Sequence, residues 1–215
     1  MIDYKLKLDK LTKTFGRRLI FDNIEYEFHS GNVYGISGPN GSGKSTLVKI
    51  IAGLISPTQG KVIHESEGKV VVEEKLHNHV GFISPYLVLY DEFSAWENLK
   101  LISDIRGISF KDEKIAALLE NFNLYGRRND MLKTYSSGMK QRIKFIFALQ
   151  HEPQLLILDE PTSNLDDEGK EKFYNIIENE GKKNLVLIAS NEKADLALCS
   201  EKINLNDYKP EQGKK

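Results

Sequence analysis

Residues 38–46, Gly38-Pro39-Asn40-Gly41-Ser42-Gly43-Lys44-Ser45-Thr46, set three glycines, a lysine and three hydroxyls in one short stretch. The chemistry this composition serves is polyphosphate binding. A nucleoside triphosphate carries several negative charges, and backbone amides hold them best where no carboxylate is near. Gly38, Gly41 and Gly43 let the chain aim successive N–H groups inward, and a helix beginning at the end of the loop adds the positive end of its dipole. Lys44 is expected to reach the β- and γ-phosphates and the Ser45 hydroxyl to ligate Mg²⁺. The stretch reads as an ATP-binding P-loop, with ATP and Mg²⁺ as its cofactors.

Mg²⁺ also needs a carboxylate at the end of a neighbouring strand. The run Leu155-Leu156-Ile157-Leu158-Asp159 supplies one, Asp159 holding the metal through water. Glu160 extends from the same tip to where a water would attack in line with the γ-phosphate, the place of a general base. Adjacent carboxylates at a strand end are ordinarily surface charges. The apolar run before these two and Pro161 after them favour the catalytic reading.

Holding these groups together takes a strand, a loop and a helix. Residues 32–37 read as a buried strand, and residues 45–52 as a helix closed by Gly53, with Pro57 soon after. Before them, residues 2–28 alternate as short antiparallel strands broken at Gly16-Arg17-Arg18 and at Asp22-Asn23. Residues 60–65 and 69–73 read as two more strands around Glu67-Gly68. From 94 to 150 the pattern is helical, with Trp96, Leu99, Ile102 and Ile105 in helical spacing. Residues 155–158 and 185–189 are continuous apolar runs typical of parallel strands buried on both faces, joined by a helix around 170–180. The expected fold is α/β: a P-loop NTPase core with a mostly parallel sheet, an N-terminal antiparallel β subdomain and an inserted helical subdomain. Residues 1–93 and 151–205 form the core with its β subdomain, 94–150 the helical part, and 206–215 a polar tail.

Composition sets limits on partners. Thirty basic residues against 31 acidic ones leave no charge excess to attract nucleic acid or an anionic membrane surface. The lone Cys199 has no disulfide partner in the chain, and the first residues lack a secretory pattern; both favour a reducing, cytosolic home. No apolar run approaches the roughly 20 residues needed to cross a bilayer.

With these residues in view, the chain resembles the nucleotide-binding subunits of ATP-binding cassette (ABC) transporters along nearly its whole length. Tyr135-Ser136-Ser137-Gly138-Met139-Lys140-Gln141-Arg142 is similar to the family signature usually written LSGGQ. The resemblance implies that Ser136, Ser137, Gly138 and Met139 bind the γ-phosphate of ATP held by an opposite subunit, with a helix N-terminus suited to that anion. Ser137 stands where the first glycine is usual. Ser163-Asn164-Leu165-Asp166 matches the D-loop, which in the family crosses the subunit interface; Asp166 would also cap the next helix. Phe15 occupies the position of the aromatic that stacks on adenine.

Two positions depart from the family pattern. Pro85 falls where a glutamine normally contacts metal and attacking water. Asn191 falls where a histidine normally touches the γ-phosphate, and it offers a hydrogen bond but no titratable proton. The resemblance implies slower or differently regulated hydrolysis, with Asn191 in the catalytic set beside Glu160 and Lys44. It also implies a homodimer or a pair with a paralogous subunit, two ATP molecules between them, and integral membrane permease subunits docked near residues 84–98 on the cytoplasmic face of the plasma membrane. Small export-type systems fit the compact length. The alternative is a soluble ABC ATPase serving cofactor assembly or another non-transport role. A DNA-repair or translation ATPase would show long heptads, a duplicated cassette or a basic patch, and the sequence has none of these.

Overall fold

The computed structural model describes residues 3–209. Strands β1 (Tyr4–Phe15) and β2 (Arg18–His29) form a hairpin across Gly16 and Arg17. Their alternating pattern buries Leu6, Leu8, Leu11, Phe21, Ile24 and Phe28, while the opposite face carries the Lys5–Glu27 and Lys7–Glu27 ion pairs. The break expected at Asp22-Asn23 is instead a set of register shifts between Leu8 and Thr14, with Lys10 and Asn23 at φ 50 and 51. A bulge absorbs extra residues and bends a strand without ending it, so the turn-like residues do not interrupt the pairing.

Strand β3 (Asn32–Ser37) leads through the glycine loop into α1 (Lys44–Ile51), which stops before Gly53 at φ 72. Strand β4 (Gln59–Ser66) returns beside β1, and β5 (Lys69–Val70) beside β4, giving an antiparallel sheet of order β2-β1-β4-β5. A short helix α2 (Leu76–His79) precedes β6 (Val80–Ile83). Helices α3 (Ala95–Arg106), α4 (Asp112–Asn121) and α5 (Ser137–Leu149) then occupy the expected helical stretch. Ser94 and Glu97 form a reciprocal capping box that starts α3, and Gly107, in the left-handed region, ends it.

The chain returns through β7 (Leu155–Asp159), α6 (Asp167–Gly181), β8 (Leu185–Ala189), α7 (Lys193–Ala197) and β9 (Glu201–Asn204). The second sheet is parallel, in the order β6-β7-β8-β3-β9. Every residue of β7 and β8 is buried because both faces are covered. Leu155, Ile157, Leu185 and Leu187 face the antiparallel sheet and α1, while Leu156, Leu158, Val186 and Ile188 face a core shared with the helical subdomain. Two cores therefore meet back to back through the parallel sheet. The α/β fold with its two sheets and helical insert is as the sequence leads one to expect.

Of the expected polar tail, residues 210–215 lie outside the described residues. Leu205–Tyr208 forms a 3-10 turn with Leu205 buried and Tyr208 packed on the first core. Among the described residues no helix is long and apolar enough to cross a membrane.

Candidate functional site

The parallel sheet brings the ends of β3, β7 and β8 to one rim, and the candidate chemistry gathers there. Residues 38–43 wrap between β3 and α1. Gly38 sits at φ 145 and Gly43 at φ 109, and a Cβ would run into the Ser42 side chain at Gly38 and the Ile20 side chain at Gly43, so both positions favour glycine for conformation and for space. Lys44 is only 6% exposed. Its ammonium donates to the Gly38 carbonyl at 3.0 Å and to the Asn191 side-chain oxygen at 3.0 Å. The Glu160 carboxylate lies 3.6 Å away.

Ser45 Oγ donates to Asp159 Oδ1 at 3.0 Å. Asp159 is fully buried and its Oδ2 has no partner. Burial pushes its carboxyl above the usual range, the Ser45 hydrogen bond pulls it down, and the neighbouring Glu160 charge adds to the rise. A buried carboxylate oxygen without a partner, beside a serine hydroxyl, is the hard oxygen donor set that suits Mg²⁺. Ser45 and Asp159 therefore fit the ion.

Glu160 has φ 47, a left-handed conformation that costs a non-glycine residue roughly 1 kcal/mol or more. The surroundings enforce it: its N–H donates to the Ala189 carbonyl at 2.8 Å, and its own carbonyl accepts from Ser163 Oγ at 2.9 Å. The kink turns Glu160 towards Lys44 while Asp159 stays under Ser45. No sequence signal marks this backbone conformation.

Phe15, at the end of β1, is 51% exposed. It borders a cleft of about 500 Å³ with Arg18, Gly41, Lys44, Thr46 and Glu160, and Lys13 Nζ lies 4.7 Å above its ring. Tyr86, expected to serve a partner surface, also borders this cleft and lies over Lys49 at 4.8 Å. Asn40 accepts from the Asn191 amide, so the loop after β8 is tied to the P-loop.

Ser136 caps α5 by accepting from Met139 N–H at 3.2 Å. A Cβ on Gly138 would meet the Asn164 carbonyl at 2.8 Å, so the start of α5 abuts the 163–166 loop closely. Asp166 caps α6 through Gly169 N–H at 3.0 Å and pairs with Arg142 of α5. None of Ser136, Ser137, Gly138 or Met139 borders the P-loop cleft. A separate groove of about 290 Å³ runs between Pro85, Leu87 and Val88 on one side and Ser137, Lys140 and Lys144 on the other.

A family model described as ABC transporter matches residues 21–163. The chain belongs to the ABC transporter family. Two bacterial relatives of this ABC protein match almost all of it. The lantibiotic transport ATP-binding protein SrtF of Streptococcus pyogenes is 36% identical over 203 residues, covering 94% of this chain and 84% of SrtF. The uncharacterized ABC transporter ATP-binding protein YybJ of Bacillus subtilis (strain 168) is 33% identical over 211 residues, covering 95% and 94%. A solved putative ABC transporter ATP-binding protein of Pyrococcus furiosus superposes with TM-score 0.82 at 26% identity, covering 96% of this chain and 100% of that one.

Within the ABC cassette, Pro85 and Asn191 each make a contact to another loop or helix. The Pro85 carbonyl accepts from Lys144 Nζ at 3.4 Å, which fastens the 84–90 loop to the helical subdomain through the backbone. Asn191 keeps contact with Lys44 through a neutral amide. Ser190 and Asp195, not singled out from sequence, lie directly behind Glu160.

Proposed function

We propose that this ABC cassette binds ATP with Mg²⁺ on residues 38–46 and hydrolyses it, in a head-to-tail pair with a second copy or a paralogous subunit. The pair drives export through separate integral membrane subunits from the cytoplasmic face of the plasma membrane. The observation that carries the reading is the division of labour at the tip of β7, where Asp159 faces Ser45 and Glu160 faces Lys44.

Lys44 and the 38–43 amides hold the β- and γ-phosphates, and Phe15 stacks on the adenine ring. Ser45 and Asp159 would hold Mg²⁺, which would supply positive charge against that developing on the phosphates. Glu160 accepts the proton of the attacking water, and Asn191 steadies Lys44. Ser136, Ser137, Gly138 and Met139 meet the γ-phosphate held by the other subunit, with Asp166 at the interface. Their position outside the P-loop cleft of their own chain supports this arrangement. The groove between Pro85 and Lys144 receives the membrane partner. SrtF, a lantibiotic transport ATP-binding protein, supports the transport role.

The test is Glu160→Gln with Mg-ATP, followed by nucleotide retention, phosphate release and light scattering. ATP is retained, hydrolysis falls by about 10²-fold or more, and the mass doubles. A nucleotide-bound protein that stays monomeric overturns the sandwich, and wild-type turnover overturns the base assignment. Co-purification with an integral membrane protein separates transport from a soluble role.

A further inference from the structure

We infer that Asp195 is a positioning residue for hydrolysis, acting on Glu160 through Ser190. The inference rests on the reading of Glu160 as the general base. Asp195 lies on α7 and is 1% exposed. Among the described residues it makes no ion pair within 4 Å; its carboxylate instead accepts from three hydroxyls. Ser190 Oγ lies 2.7 Å from Oδ2, while Thr162 Oγ1 and the Tyr174 hydroxyl each lie 2.9 Å from Oδ1. A carboxylate taken out of water without a cation is costly unless hydrogen bonds replace its solvation. Burial, followed by the contact with Asp195, pushes the Tyr174 phenol up to about 12, so it remains a donor.

Two of these donors flank the base. Thr162 stands two residues after Glu160 in the loop leaving β7. Ser190 directly follows Ala189, whose carbonyl holds the Glu160 N–H. Asp195 therefore ties together the two loops that keep Glu160 in its left-handed conformation.

The proton count gives Ser190 a direction. A serine hydroxyl has one proton and two lone pairs. The proton goes to Asp195, since that contact is 2.7 Å and the one to Glu160 Oε2 is 3.3 Å. The Glu192 N–H, at 3.0 Å, uses one lone pair. Ser190 Oγ is thereby held 3.3 Å from Glu160 Oε2 and fixes where that carboxylate can stand. By holding the serine proton, Asp195 fixes the position of Ser190 against the Glu160 side chain.

The experiment measures steady-state ATPase activity, ATP affinity and thermal midpoint for Asp195→Asn, Ser190→Ala and Ser190→Thr, each also in the Glu160→Gln background. Asp195→Asn and Ser190→Ala are expected to lower kcat by about tenfold to a hundredfold, leaving KM for ATP within about twofold. Ser190→Thr, which keeps the hydroxyl, restores most of the rate. In Glu160→Gln none of the three changes the residual rate, because the group they act through is gone. If Asp195→Asn does not fold, the Ser190→Ala and Ser190→Thr pair decides. The inference is overturned if Glu160→Gln is inactive while Ser190→Ala turns over like wild type, or if the losses appear in KM alone. If Glu160→Gln itself turns over like wild type, it is the reading of Glu160 that fails.

Discussion

Lys44 Nζ and Glu160 Oε1 lie 3.6 Å apart at the rim of the parallel sheet, with Lys44 almost wholly buried and Glu160 about one third exposed. On the proposed reading, a γ-phosphate seated on the P-loop would enter next to both groups, and the ammonium that binds it would also offset the charge of the base beside it. Lys44→Ala removes both effects. The expected result is a loss of ATP affinity of about tenfold or more, the scale of a hydrogen bond to a charged group, read by calorimetric titration with Mg-ATP. Unchanged affinity would remove Lys44 from the site.

Asn191 links Lys44 to Asn40 and so holds the ammonium and the P-loop in one register. Asn191→Ala leaves the fold intact but frees Lys44 on that side. Turnover is expected to fall about tenfold with a smaller effect on ATP affinity, measured by steady-state kinetics. Equal turnover in the two proteins counts against any part for Asn191.

Stability is expected to depend on pH through His64, a buried residue of β4 with Nδ1 2.9 Å from the Tyr4 hydroxyl. Burial, reinforced by the neighbouring His79, lowers His64 to about 4 from its ordinary 6.5. Its folded value lies below its unfolded one, so the native state keeps it neutral while the unfolded chain takes up a proton. Stability is therefore intact above about pH 6.5, is lost as pH falls from 6.5 to 4, and levels off below. Between pH 7 and 5 this one group accounts for about 2 kcal/mol. Urea unfolding of His64→Asn at the two pH values should show a drop smaller than wild type by that amount; an equal drop assigns the acid sensitivity elsewhere, the half-buried His151, also lowered to about 4 chiefly by burial, being the next candidate.

Gly81 in β6 faces the α5 backbone so closely that a Cβ would strike the Ala148 carbonyl. Gly81→Ala is expected to destabilise the protein by about 1–3 kcal/mol, the range of an overpacked core. Gly126→Ala, where the same addition meets open space, serves as the control. Similar thermal midpoints for the two variants would refute the close approach.

Elements set by local chemistry were legible in the residues. Residues 38–46 specify a phosphate-binding turn because glycine, lysine and hydroxyls do that work within one loop. The apolar runs of β7 and β8 announce strands covered on both faces, and Trp96, Leu99, Ile102 and Ile105 keep the helical spacing of α3. Short edge elements were not legible: β6 and β9 have four residues each, too few for a period to emerge, and their pairing is settled by neighbours far along the chain. The tertiary structure alone decided what distant residues do to one another. It turned Glu160 to φ 47 through Ala189, put Tyr86 at the P-loop cleft, set Lys44 against Asn191 and surrounded Asp195 with three hydroxyls. Hydrogen bonds and ion pairs act over a few ångströms, and only the folded sheet brings groups from separate loops within that reach.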